Sequence, residues 1–441
     1  MKINYISLFL LALLTCASYS QNKIPKGNIA DDKVLFEYAI YFLDNDIVKV
    51  EDAIKTIKKL HPSIKLLDSV SNPESIKESS VVITPITNVK EQFPPADLEY
   101  LQYTNQGLSE SEKIELQKSK YVLLLDFMCK QDELITTLKT ANNFVKDLVK
   151  NKKAVIFDSD TRETYSKDYW NAKRLINDNT VNISNHITIH FYQKEEYCRA
   201  ITLGMLKFGL PDLCIENLSC NSSLGLTSFI NLIAQTLLEK QKIEKTGRIK
   251  LNIDAIKNEE LKAVLLSSLY ENAEKKAEIN LIKGTWEEGD PQNRLIEIGF
   301  PEANPQVEHN EVITKLFGSL DKVSYLNHNE ELLAASKRAK EKIPELRKLF
   351  LAGLPINSSL LIKFPFENSE GEREWMWVEI TKWKGETING LLQNEPRVVE
   401  NLKAGSKVSK NINDMFDYIL YKADGTQEGN ETSEIIMKMQ N

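Results

Sequence analysis

Residues 374–396, EWMWVEITKWKGETINGLLQNEP, carry the strongest local pattern in the chain. Side chains on a strand alternate between its two faces. Over residues 374–381 this places Trp375, Trp377 and Glu379 on one face and Glu374, Met376, Val378 and Ile380 on the other. Both faces are partly apolar, as in a strand covered on both sides. Lys384-Gly385-Glu386 reads as a turn, and Thr387-Ile388 opens a return strand. The pattern predicts a small antiparallel sheet whose tryptophans belong to the core. A competing reading makes Trp375 and Trp377 an exposed aromatic binding face, since Trp is enriched at interaction hot spots.

The spacing of further residues carries a resemblance. Trp375-Met376-Trp377-Val378-Glu379, Gly390-Leu391-Leu392, Asn394-Glu395-Pro396, Gly405 and Ile412-Asn413-Asp414 resemble, in that order, the YegJ-like bacterial domain of unknown function. The resemblance covers roughly residues 333–425 and implies a β-rich domain without an assigned activity. A weaker resemblance covers residues 120–240. It rests on residues 154–158, Asp160-Thr161, Tyr165, Trp170, residues 202–205 and residues 208–213, which are similar to another uncharacterised group of bacterial domains. Such domains occur beside stress- or toxin-related modules, which implies an accessory or antagonist role as one alternative.

The chain has 441 residues, enough for roughly three domains. Its 63 acidic and 56 basic residues leave a net charge of -7, which gives no basic footprint for nucleic acid. Lys2, the apolar run 6–14 and the small residues Ser18 and Ser20 read as a secretory signal over residues 1–20. The run is shorter than the ~20 apolar residues a membrane-spanning helix needs, and no later stretch reaches that length. Leu13-Leu14-Thr15-Cys16 also resembles a lipobox, which would put a lipid anchor on Cys16. The protein is therefore expected in the periplasm or secreted, or alternatively as an outer-membrane lipoprotein. Export permits disulfides among Cys129, Cys198, Cys214 and Cys220, with all three full pairings open. Cys214 and Cys220 are near enough in sequence for a small loop.

Strand and helix patterns alternate through the first three hundred residues. Residues 34–43, 80–86, 120–128, 154–157 and 186–192 read as strands, and residues 50–60, 131–149 and 226–238 read as helices. The expected fold class is α+β, with strand–helix layers that would form two ferredoxin-like halves, followed by a small β-rich domain. The expected division is an N-terminal α+β region 22–246, a middle segment with linker 247–310, and a β-rich domain 330–441. The linker is placed at residues 301–310, PEANPQVEHN.

Three constellations could carry chemistry. Asp158 and Asp160 end a strand one residue apart, the arrangement by which haloacid-dehalogenase-type phosphotransferases use one Asp as nucleophile and the next as acid/base. Such enzymes want Thr or Val where Arg162 stands, so an acidic turn capped by Asp160 or Thr161 is the simpler expectation. His186 and His190 alternate with apolar residues in strand periodicity, which sets them about 13 Å apart, too far to chelate one ion. Glu379 and Asp414 could face each other across the C-terminal sheet. No cofactor, metal or catalytic set is expected, and the binding candidates are Trp375, Trp377, Glu379 and Asp414. The expected function is a non-enzymatic binding protein of the cell envelope with a protein partner. The alternative is a metal-dependent envelope hydrolase using Asp158 and Asp160.

Overall fold

Three large sheets and a two-stranded one, Gly27–Asn28 with Lys242–Ile243, organise the chain, and helix and strand each take 34% of it, which makes it an α+β protein. The computed structural model describes residues 22–69, 76–176, 180–194, 197–218, 223–270, 272–300, 305–318, 330–355, 358–368, 373–397 and 399–440. The expected signal segment, Cys16 and Cys220 lie outside these residues.

The first sheet has seven strands in the order Lys65–Leu67, Ser80–Ile86, Tyr121–Lys130, Lys33–Phe42, Ala154–Asp158, Glu163–Tyr165, Asn105–Gln106. Its four long strands and the helices Val50–Leu60 and Leu134–Val149 follow one another as β-α-β-β-α-β. The period of two explains how Lys33–Phe42 is covered on both sides. Val34, Phe36, Tyr38, Ile40 and Phe42 enter the main core, while Ala39 and Tyr41 enter a second cluster with Val89, Leu101 and Leu116. Within residues 88–106 the one-turn helices Val89–Gln92 and Leu101–Thr104 supply this cover.

The second sheet has six strands in the order Arg248–Asn252, Lys276–Lys283, Leu295–Gly299, Asp212–Leu218, Tyr197–Leu203, Thr188–Lys194. Asp212–Leu218 and Leu295–Gly299 run parallel, unlike any pair among the four long strands of the first sheet. The two sheets do not share one layout, so a pair of ferredoxin-like halves is not established. The expected boundary at 246/247 falls inside this sheet, because strands from both sides of it hydrogen-bond into one array. The expected linker is partly helical. Helix Pro305–Phe317 begins on a proline, which tolerates the first turn because its missing N–H would have no partner there. Leu316 and Phe317 are buried in the main core.

The third sheet is antiparallel throughout, in the order Lys407–Asn411, Thr387–Leu392, Arg373–Lys384, Ser359–Glu367, Asp417–Tyr421, Gln427–Gly429. Met376, Val378 and Ile380 enter its core as the alternation predicts. A register shift between Ile380 and Lys382 adds one residue to the strand, and Trp383 then falls on that same core face. Two charged helices precede this sheet, Glu330–Glu341 and Ile343–Ala352, with Pro344 at the start of the second. The chain closes on helix Glu431–Gln440, which the sequence pattern did not announce. Asp417, buried in the sheet, accepts hydrogen bonds from Thr432 N (2.8 Å) and Thr432 Oγ1 (2.6 Å) and so caps this helix.

Gly390 allows the hairpin to close. A Cβ there would stand 2.1 Å from the carbonyl oxygen of Glu379. Gly390→Ala is expected to cost the C-terminal domain roughly 1–3 kcal/mol by forcing the two strands apart. Urea unfolding of the full chain followed by tryptophan fluorescence checks this, since Trp375, Trp377 and Trp383 all report from this sheet.

Candidate functional site

Asp158 ends its strand fully buried, against the adjoining segments of the second sheet. One carboxylate oxygen accepts from the backbone N–H groups of Asp160 (3.1 Å) and Thr161 (3.4 Å), which folds the loop tightly back on the strand end. The other oxygen meets two cations, the ammonium of Lys207 and Nη2 of Arg174, the latter at 2.7 Å. Both cations are as buried as the carboxylate. Lys207 is carried by the short helix Met205–Phe208, set between Gly204 and Gly209, both with left-handed backbone. At Gly204 a Cβ would lie 2.8 Å from the His186 carbonyl oxygen and from Thr161 Cγ2, so a larger residue would push the Lys207 turn off the Asp158 loop.

Arg174 spreads its guanidinium over further partners. It donates to Thr161 Oγ1 at 3.3 Å and to His186 Nδ1 at 3.2 Å, and its carbon lies 4.6 Å from the Tyr165 ring centroid. A guanidinium only donates, so His186 accepts through Nδ1 and is neutral. Burial first, then the charges of Arg174 and Lys207, hold the His186 pKa well below its ordinary value. Burial alone would raise the Asp158 carboxyl, but Lys207 and Arg174 outweigh it and keep the group ionised. Asp160 behaves in the opposite way. Burial pushes it up to about 8, Asp158 adds to the rise, and Lys207 opposes it. Its Oδ2 is buried and has no hydrogen-bond partner. Beside it, Glu37 faces Asp126 across the central strand pair, and burial with the Glu37 charge raises Asp126 to about 7.

The cluster continues toward the surface. Arg162, at φ 58°, donates to the carbonyl oxygens of Gly289 (2.7 Å) and Asp290 (3.2 Å). Asp290 in turn grips the buried Arg199 with both oxygens, at 2.7 and 2.9 Å. Arg199 also meets Glu216 and donates to Tyr192 OH at 2.7 Å. Sequence reasoning singled out Asp158 and Asp160 but not Lys207, Arg174 or Arg199. The only local signal was a lysine in an apolar turn between two glycines.

The four residues expected to bind a partner are not gathered at one point. Trp375 is half-buried, with its ring 4.2 Å from that of Phe416. Trp377 is 9% exposed and lies under Lys363, whose Nζ is 4.8 Å from the ring centroid. Glu379 is buried in mid-strand and accepts from Gln393 Nε2 at 3.2 Å. Asp414 is exposed in a one-turn helix after the edge strand, beside the hairpin end where Ile412 N donates to Glu386 O at 2.8 Å. His190 is paired opposite Ile201 within its strand, while His186 precedes that strand and belongs to the Arg174 cluster. Among the described residues no group of three or more His, Cys, Asp or Glu side chains is placed to hold a metal. Cys198 is disulfide-bonded, and Cys129 and Cys214 are free and buried. Cys214 therefore does not pair with Cys220, one of the pairings the sequence left open. Burial pushes both free thiols up to about 12, far from reactivity.

A family model described as an uncharacterized protein conserved in bacteria (DUF2314) matches residues 329–441. It places a bacterial domain of unknown function at the C-terminus, over the third sheet and its helices. No curated protein and no solved structure matches the chain.

Removing one partner of the buried cluster leaves an uncompensated charge. Asp158→Leu, which strips Lys207 and Arg174 of their shared counter-charge, is expected to lower the unfolding free energy by roughly 3–5 kcal/mol, read by urea denaturation. The raised Asp160 carboxyl has a defined pH signature. The folded state binds its proton more tightly than the unfolded state, where the group titrates near 3.8, so this contribution is complete below that pH and is lost as pH rises through about 8. Asp160→Asn should flatten the decline of stability over that window and make the protein more stable than the parent at the alkaline end. Denaturation series at several pH values measure this directly.

Proposed function

We propose that the chain is an exported, non-enzymatic binding protein of the bacterial cell envelope, with the C-terminal domain as its contact module for a protein partner. The observation that carries this reading is the burial of Asp158 between Lys207 and Arg174. This buried charged cluster ties a strand end of the first sheet to a turn of the second. A nucleophilic carboxylate must reach its substrate, whereas this one is enclosed. The N-terminal apolar run with Ser18 and Ser20 supports export. The disulfide at Cys198 supports an oxidising compartment. No helix among the described residues is long and apolar enough to cross a membrane. The resemblance of residues 333–425 to the YegJ-like domain brings no assigned activity with it. Within that module Trp375 joins a large aromatic ring to partial exposure, and Asp414 is exposed, which makes these two the proposed contact residues.

One observation favours the hydrolase alternative. Asp160 is protonated near neutrality while Asp158 stays ionised, and environments that push two carboxyl groups apart define acid/base pairs.

A photo-crosslinking residue at Asp414 in the exported protein separates these readings. A discrete envelope adduct is expected there and not with the same probe at Lys55, on the helix Val50–Leu60. Absence of an adduct at Asp414 counts against the binding reading. Turnover of a generic phosphate ester with Mg²⁺, lost in a folded Asp158→Asn variant, would replace it with the hydrolase.

A further inference from the structure

The protein is acidic overall, yet one segment is strongly basic. Residues 240–250, KQKIEKTGRIK, contain Lys240, Lys242, Lys245, Arg248 and Lys250 against the single carboxylate of Glu244. All five cations are exposed. Arg248 pairs with Glu278 at 2.8 Å, and Lys240 and Lys245 lie 4.0 Å from Glu244 and Glu278. Lys26, Lys242 and Lys250 have no carboxylate within ion-pair distance among the described residues.

The beginning of the described chain is stitched across this segment, more than two hundred residues away in sequence. Gly27–Asn28 pairs antiparallel with Lys242–Ile243. Gly247 N donates to Ile24 O at 2.7 Å, Ile29 N to Gln241 O at 3.0 Å, and Lys26 N to Thr246 Oγ1 at 3.3 Å. The join adds Lys26 to the basic segment and leaves an open depression of about 670 Å³, lined in part by Lys26, Asn28, Lys240, Lys242 and Glu244.

In the lipid-anchored alternative the covalent chain adds a tether. Asn22 stands six residues after Cys16, and six residues span at most about 21 Å when fully extended, so an acyl chain on Cys16 would keep Asn22 within that reach of the lipid. A single lipid chain binds a bilayer only marginally, and a basic patch beside it is a recognised second anchor. Each Lys or Arg near an anionic leaflet adds to the attraction, which decays over a Debye length.

We propose that the face formed by Lys26, Lys240, Lys242, Lys245, Arg248 and Lys250 docks on an anionic lipid surface, with phosphate headgroups entering the depression between Lys26 and Lys242. The surface orients the folded body at the membrane and leaves the C-terminal domain to its partner. This goes beyond the binding function proposed above, and it rests on the export reading only for the encounter in the cell. Purified protein tests the surface itself.

The experiment is flotation of the mature full-length chain, starting at Gln21, with vesicles of phosphatidylcholine alone or mixed with phosphatidylglycerol. Binding is expected only on the mixed vesicles and is expected to vanish at high salt. The combined variant Lys26→Glu, Lys242→Glu, Lys250→Glu should lose roughly tenfold or more in partitioning. The control variant Lys55→Glu, Lys58→Glu, Lys59→Glu, on the exposed face of Val50–Leu60, should keep it. Circular dichroism and thermal unfolding establish that both variants are folded. Equal flotation with the two vesicle types, or equal losses in the two variants, overturns the proposal. Fractionation of cells expressing the full chain, read separately, tests export, so failure of either idea is distinguishable from failure of the other.

Discussion

The carboxylate of Asp158 must carry its charge where there is no water. An isolated ion in such a place costs several kcal/mol, and its attraction to partners repays this only when geometry is good and the remaining hydrogen-bonding capacity is used. Both conditions hold. Two backbone N–H groups take one oxygen, and Lys207 and Arg174 take the other. Asp158 ends a strand of the first sheet and Lys207 sits in the turn before a strand of the second, so this contact ties the two sheets together. Arg294 reinforces the join from the other side, donating to Gly209 O and Ile29 O at 2.9 Å and pairing with Asp31 at 2.8 Å.

Such a junction favours one arrangement over its neighbours. Apolar surfaces slide past each other at modest cost, whereas a misplaced buried ion leaves an unpaired charge. The polar interior also explains the unequal carboxyls. Asp158 has both cations and stays ionised. Asp160, two residues on, is half-buried with less compensation and takes up a proton.

The C-terminal domain solves a different problem, a central strand that is apolar on both faces. Glu330–Glu341, Ile343–Ala352 and Glu431–Gln440 supply the cover. Leu346 and Ala339 pack into the core with Met376 and Val378, while Leu332, Ala335 and Ile435 cluster with Phe416 and Trp375. Lys363, buried under the last helix, donates to Thr432 Oγ1 at 3.3 Å and lies against Trp377. The tryptophans are therefore chiefly packing residues, and Trp375 alone of the first pair keeps partial exposure.

The sequence by itself determined the elements whose period is local. Ser80–Ile86 and Val50–Leu60 occur with the bounds that alternation and helical spacing predict, and the 374–396 hairpin turns at Lys384-Gly385-Glu386. It also marked Asp158 and Asp160 as a polar strand end. Tertiary structure alone decided what surrounds them. Lys207 is forty-nine residues from Asp158 along the chain, and no spacing rule connects residues that meet across two sheets. The same holds for the basic face, which needs Lys26 to be carried beside Lys242 by strand pairing, and for the boundary at 246/247, which hydrogen bonding between distant strands erased. Periodicity is a property of neighbours on one element. Burial, pairing and charge compensation depend on which elements pack together, and a linear pattern does not contain that.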